Sequence, residues 1–118
     1  MGVFQGRKLS GSTDGKPIKI VATATAGTAV HTAVAGTTAG TWDEIWLWAQ
    51  NNHTAEVTLT IEFGDANPES NIIITLASKS GLVPILPGHR LQNAATVKAF
   101  ASVANVVSMV GHINTLTD

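Results

Sequence analysis

The segment Thr41–Phe63 constrains the fold of this chain more than any other. Its apolar and polar residues predict two extended strands joined by a polar turn at Asn51–Thr54. The first strand, Trp42–Gln50, carries all three tryptophans, and in the second, Glu56–Phe63, we expect glutamate and threonine to face outward. A tryptophan buries roughly 150–250 Å². We therefore expect the domain to build its core around this segment.

The strand Trp42–Gln50 is largely apolar on both faces. Its side chains divide by parity into Trp42, Glu44, Trp46 and Trp48 on one face, and Asp43, Ile45, Leu47 and Ala49 on the other. A strand of a β-sandwich needs only one apolar face, so this pattern predicts a central strand. We expect the tryptophan face to be covered by an N-terminal arm, a long loop or another subunit.

The remaining strands are short and separated by turn residues. They are predicted at Ile18–Thr25, Thr28–Val34, Asn71–Ala77, Leu82–Leu86, Thr96–Ala101 and Asn105–Ile113, with a turn at Pro87–Arg90. Pro84 predicts a sheet edge or a bulge. The 118 residues thus indicate an all-β protein, a single-domain antiparallel β-sandwich over residues 18–118. A jelly roll is favoured over an immunoglobulin-like sandwich, because the chain contains no cysteine.

Residues 1–17 mix glycine, serine and charge, and predict an extended N-terminal arm. Four basic residues lie within the first nineteen positions, whereas residues 20–78 contain six acidic residues and neither lysine nor arginine. We expect the arm to dock on a neighbouring protein, and the sandwich to fold without residues 1–16. The residues expected to make that contact are Val3, Phe4, Arg7, Lys8 and Leu9.

No residue grouping predicts catalysis, a metal or a cofactor. The four histidines fall on different predicted elements, and neither a metal-binding histidine spacing nor a serine nucleophile motif occurs. The loop Gly64–Ser70 has oxygen ligands that would suit calcium, but a plain polar turn explains them better. Asp43 and Glu44 point to opposite faces of a strand and cannot act as a pair. We therefore expect a protein that is not an enzyme.

Charge and length restrict the partners. A net charge of −1 gives no general attraction to nucleic acid or to anionic membranes. No stretch approaches the ~20 apolar residues of a membrane span, and we expect a soluble chain without a leader. Exposed tryptophans would suit a sugar-binding platform, although the chain has no tyrosine. Protein docking and glycan binding both remain open.

Three segments resemble small virion structural proteins of tailed bacteriophages, of the decoration (cement) kind. The resemblance covers about Thr28 to Asn114 and includes D-E-I-W-L-W-A, P-G-H-R-L-Q-N and the closing strand. The segments are HTAVAGTTAGTWDEIWLWAQNNHTAEVTLTIEFG, NIIITLASKSGLVPILPGHRLQN and ATVKAFASVANVVSMVGHIN.

The resemblance implies a β-sandwich that forms a homo-oligomer, often a trimer, and binds the major capsid protein lattice to stabilise the phage head. It implies a location on the capsid exterior of the virion, after synthesis in the cytoplasm of the bacterial host. The expected partner or subunit interface comprises Val3, Phe4, Arg7, Lys8, Leu9, Trp42, Trp46 and Trp48. Two alternatives are a head–tail connector or tail component, present in few copies, and a glycan-binding β-sandwich module.

Overall fold

The computed structural model describes residues 2–118, which form nine β-strands and one short 3-10 turn, Pro68–Ser70. Met1, the first residue of the predicted arm, lies outside the described residues. Within residues 2–118 no helix has the length and apolarity needed to cross a membrane. The strands are β1 (Val3–Lys8), β2 (Ile18–Lys19), β3 (Thr28–Thr32), β4 (Trp42–Asn51), β5 (Val57–Gly64), β6 (Asn71–Leu76), β7 (Val83–Leu91), β8 (Thr96–Ala101) and β9 (Val107–Thr117).

The strands form two antiparallel sheets. Sheet A has the order β1-β9-β4-β7, with β2 also paired to β9, and sheet B has the order β3-β8-β5-β6. From β2 onward the chain changes sheet at each connection except the β5–β6 hairpin. This order is that of a jelly roll. The predicted all-β antiparallel sandwich is confirmed.

Strand β4 is central in sheet A, between β9 and β7, as predicted. Its inward side chains, Ile45, Leu47 and Ala49, are 0% exposed and join the core. The tryptophans occupy the other parity and are only partly buried. The core is nevertheless built around the segment Thr41–Phe63, as expected, because it includes Ile45, Leu47, Ala49, Val57, Leu59 and Ile61. The tryptophans are not among its members.

The N-terminal arm is an extended edge strand. Strand β1 pairs with β9 along its whole length, from Val3 opposite Thr117 to Lys8 opposite His112. The next residue, Leu9, is 1% exposed within the core. Deleting residues 1–16 would empty that position in the core, which argues against normal folding of the sandwich without them.

The predicted strand Ile18–Thr25 is much shorter in the structure, where only Ile18–Lys19 forms a strand. The Thr28 hydroxyl accepts hydrogen bonds from the backbone N–H groups of Val21, at 3.1 Å, and Ala22, at 3.0 Å. These donors are thereby diverted from a strand ladder. The small side chains that follow bury too little surface to hold the segment in a sheet.

The predicted turn Pro87–Arg90 is wrong, because β7 continues through it to Leu91. Gly88 adopts a φ of 88°, and the β4–β7 register shifts twice, so bulges absorb the irregular residues. The prediction for Pro84 is confirmed, since β7 is an edge strand and one shift adjoins it.

The outward side of β5 is less exposed than predicted. Thr60 is 6% exposed and Glu62 is 2% exposed. The Glu62 carboxylate turns toward the loop before β3, where its Oε1 accepts a hydrogen bond from the Gly27 N–H at 2.7 Å. The alternation of apolar and polar residues therefore identified the inward side chains of β5. It did not predict that Thr60 and Glu62, on the other face, are also buried.

Strands β9 and β4 approach each other closely at Gly111, and a substitution there tests this approach. A β-carbon at Gly111 would collide with the carbonyl oxygen of Trp46, whereas one at Gly6 would lie 3.6 Å from Asn114 Oδ1, an ordinary contact. We expect Gly111→Ala to lower the free energy of unfolding by about 1–3 kcal/mol. The control, Gly6→Ala, should change it by less than about 0.5 kcal/mol. Chemical denaturation measures both, and equal effects would contradict the close approach.

Candidate functional site

Two groupings of polar and aromatic side chains stand out from the fold: a buried network around Asp43 and the outer face of sheet A. In the described part of the chain, no three His, Cys, Asp or Glu residues lie close enough to hold a metal ion. The loop considered for calcium is a turn in which Asp65 Oδ1 accepts a hydrogen bond from the Asn67 N–H at 3.0 Å. Hydrogen bonds from the Ser70 side chain and the Asn67 backbone lower the pKa of Asp65.

The Asp43 carboxylate is 3% exposed and accepts three hydrogen bonds. Its Oδ2 lies 2.7 Å from His31 Nε2 and 3.1 Å from the Val34 N–H, and its Oδ1 accepts from the Thr115 hydroxyl at 2.7 Å. The Ser10 N–H donates to His31 Nδ1 at 3.0 Å. Because Nδ1 accepts, Nε2 carries the hydrogen and donates to Asp43, and the imidazole is neutral in this arrangement.

A pocket of about 480 Å³ opens above this network and is lined by Arg7, Lys8, Ser10, His31, Thr32, Val34, Asp43 and Ile113. Its one serine hydroxyl, on Ser10, accepts a hydrogen bond from the Thr32 N–H at 2.7 Å. Both nitrogens of His31 are already hydrogen-bonded. Since neither can take a proton from a nucleophile, the arrangement lacks the free base that a hydrolase needs. The network joins β3, β4 and β9 structurally.

The outer face of sheet A is composed of four rows of side chains that cross its strands. One row is apolar, one polar, one combines cationic and aromatic groups, and the last is again apolar. By register they are Phe4, Leu116 and Trp42; Gly6, Asn114, Glu44 and Arg90; Lys8, His112, Trp46 and Pro87; and Val110, Trp48 and Pro84. We call this set the aromatic face.

The centre of the aromatic face is a ring stack. His112 lies between two tryptophans, with its ring centroid 6.1 Å from Trp46 and 5.9 Å from Trp48, at interplanar angles of 11° and 29°. Gly88 lies against the six-membered ring of Trp46, because a β-carbon there would come within 3.0 Å of it. Trp46 is thus in contact with both His112 and Gly88.

Glu44 joins the stack to the polar row. Its Oε1 accepts from Trp46 Nε1 at 2.9 Å and from Asn114 Nδ2 at 3.2 Å, and Arg90 lies 3.9 Å from its Oε2. The hydrogen bond from Trp46, followed by those from Asn114 and by the charges of Arg90 and His112, lowers the pKa of Glu44. The carboxylate therefore stays charged and holds the indole in place.

The structure brings together five of the eight residues predicted for an interface. Phe4, Lys8, Trp42, Trp46 and Trp48 share the aromatic face. By alternation Val3 and Arg7 point to the opposite side of β1, and both are exposed.

Leu9 is the one predicted interface residue that lies in the core, at 1% exposure, and it cannot form part of a surface. Sequence reasoning missed the residues of β9 and β7 that complete the face: Val110, His112, Asn114, Leu116, Pro84, Pro87 and Arg90. Alternation along β9 contains a signal for the first four. Their place beside the tryptophans depends on strand pairing.

No known protein family, curated protein or solved structure matches the chain. The aromatic face and the Asp43 network are therefore interpreted from their geometry.

Substitutions at Asp43 test whether its network supports the fold. Asp43→Ala leaves two buried donors, on His31 and Thr115, and one partly buried donor, on Val34, unpaired. We therefore expect a loss of at least about 2 kcal/mol in the free energy of unfolding. Asp43→Asn keeps an acceptor for His31 and should lose less. The exposed Glu56 supplies the control, Glu56→Ala. Equal unfolding curves for Asp43→Ala and this control would exclude a structural role for the network.

The acid response of the aromatic face depends on Glu44. Its lowered pKa means that its contribution to stability is complete above its ordinary value of 4.5 and is lost as the pH falls through the folded-state pKa. Glu44→Gln removes this titration. We expect the stability difference between wild type and Glu44→Gln to shrink as the pH is lowered from neutrality into the acid range. Tryptophan fluorescence during urea titrations at each pH measures it, and a difference that does not change with pH would contradict the assignment.

Proposed function

We propose that this protein is a non-enzymatic virion structural protein of the decoration type, which binds the major capsid protein lattice and stabilises a phage head. The observation that carries the proposal is the aromatic face, on which three partly exposed tryptophans lie near Phe4, itself 65% exposed. Monomeric soluble proteins seldom display large apolar patches, and such patches mark sites of association. Tryptophan is also enriched among the residues that dominate binding energies.

The size of the aromatic face suits a protein partner. The four rows of the aromatic face extend along β4 from Trp42 to Trp48. These seven residues, at ~3.3 Å each and with four strands ~4.8 Å apart, give a face of about 440 Å². A stable interface buries about 800 Å² on each partner. The face supplies about half of that area, and repetition over a shell multiplies a modest affinity.

The ring stack favours a protein over a sugar. Sugars bind to open aromatic ring faces, whereas Trp46 and Trp48 both stack with His112, and Trp46 also contacts Gly88. A groove of about 350 Å³ beside Phe4 and Leu116 offers a recess for a partner's side chain. The glycan-binding alternative therefore has less support than protein docking.

The proposal includes self-association, for which the resemblance implies a trimer, and a place on the exterior of the virion. It assigns no cofactor, nucleic acid or membrane to the protein. The exposed basic groups of β1, Arg7 and Lys8, would favour an acidic surface on the partner.

Heads that lack this protein provide the test. Purified protein is added to heads from a phage whose copy of the gene is deleted, and bound protein is measured by sedimentation. We expect the double variant Phe4→Ser and Trp42→Ser to bind at least about tenfold more weakly, because it removes both aromatic side chains of the row that contains Leu116. The control is Val21→Ser, which changes an apolar residue 53% exposed on another part of the surface.

Each outcome separates the alternatives. Equal binding by the double variant and the control would reject the aromatic face as the contact. Electron microscopy of decorated heads distinguishes a lattice protein from a connector, which would occupy a single vertex in few copies. A change of tryptophan fluorescence with oligosaccharides, and no binding to heads, would favour the glycan module.

A further inference from the structure

Sheet B ends at β6, which pairs with β5 and with no other strand of the described chain. Its six residues, Asn71–Leu76, include three consecutive isoleucines and contain no charge, proline or glycine. Ile73 is 64% exposed. An unpaired edge of this composition readily accepts another strand.

The other three sheet edges are each protected. Strand β7 contains Pro84 and Pro87 and two register shifts. Strand β3 is covered by the chain after β1, where the Gly11 N–H donates to the Val30 carbonyl at 2.9 Å. Strand β1 ends in two charged residues, Arg7 and Lys8. Among the described strands, β6 alone carries none of the devices that prevent edge pairing.

We propose that β6 pairs antiparallel with β6 of a second copy of this chain, about a two-fold axis, so that sheet B continues across both copies. If the two-fold axis is perpendicular to the sheet, side chains that share a face in one copy share the same face in the other. One residue must then lie opposite the same residue of the second copy, with the axis between them. Centred on Ile73, the pairing sets Ile73 against its own counterpart and Ile72 against Ile74. Pairs of β-branched residues of this kind stabilise neighbouring strands.

The charges beyond the two ends of β6 support a second copy as the occupant. Glu69 precedes the strand and Lys79 follows it. Antiparallel self-pairing brings the start of one strand beside the end of the other, and so places Glu69 of each copy near Lys79 of the other. This contact is between opposite charges and occurs twice by symmetry.

The contact is separate from the aromatic face, because β6 belongs to sheet B and the aromatic face to sheet A. The prolines of β7 prevent the neighbouring edge of sheet A from pairing and confine the contact to β6. A two-fold contact joins copies in pairs, and in a trimer it would join one trimer to another. The inference does not depend on binding to a phage head.

The absence of cysteine from the chain permits a direct test by cross-linking. Residues opposite each other on antiparallel strands have Cα atoms about 4.5–5.5 Å apart, within the range that a disulfide spans. We expect Ile73→Cys to form a covalent dimer under mild oxidation at micromolar concentration. The matched control, Val21→Cys, places a thiol at a position 53% exposed and should link at least about tenfold less at equal concentration.

A charge variant supplies the second measurement. Ile73→Lys sets two lysines against each other across the axis, so native mass spectrometry should show half the number of copies found in the wild type. Val21→Lys should keep the wild-type number. Equal linking of the two cysteine variants, or a wild-type mass for Ile73→Lys, would overturn the proposal.

The same variants separate this inference from the proposed function. If Ile73→Lys keeps its mass but no longer binds heads, the edge is occupied by the capsid protein, and the self-pairing proposal is rejected. Normal binding to heads by Ile73→Lys with a halved copy number would support both proposals.

Discussion

The buried carboxylate of Asp43 is the interaction on which much of the structure depends. A carboxylate in an apolar interior costs several kcal/mol unless donors surround it, and here His31, Val34 and Thr115 supply them. These donors come from β3, from the chain that follows it, and from β9. The need of one buried carboxylate for hydrogen-bond donors therefore holds these segments of the chain against β4. Ser10 completes the set by holding the imidazole. The N-terminal arm is thereby joined to the sandwich.

The position of Asp43 also determines what faces solvent. With Asp43, Ile45 and Leu47 directed inward, alternation places the tryptophans of β4 outside. Pairing with β9 then inserts His112 between two of them. The same strand therefore supplies both core side chains and an aromatic surface.

Much of the fold was predictable because it follows from local sequence patterns, such as the alternation of apolar residues and the position of proline. The bounds predicted for Thr96–Ala101 agree with β8, and the edge position of Pro84 followed from its missing N–H. Prediction failed where distant contacts decide the outcome. Leu9 is in the core because the chain after β1 crosses toward β3, and Pro87–Arg90 belongs to a strand because bulges accommodate it.

The candidate site was half predictable for the same reason. Alternation alone grouped Trp42, Trp46 and Trp48 on one side of a strand. It did not say which side is the core, because both parities are apolar and the choice depends on how β4 packs against the other sheet.

The sequence by itself determined the β-class, the approximate positions of most strands and the grouping of the tryptophans, since these follow from alternation and turn residues within a few positions. Only the tertiary structure decided which strands are neighbours. It thereby placed His112 between two tryptophans, Asp43 beside His31, and the isoleucines of β6 at an unprotected edge. Pairing between strands far apart in the chain depends on the packing of all of them together, which no local pattern encodes.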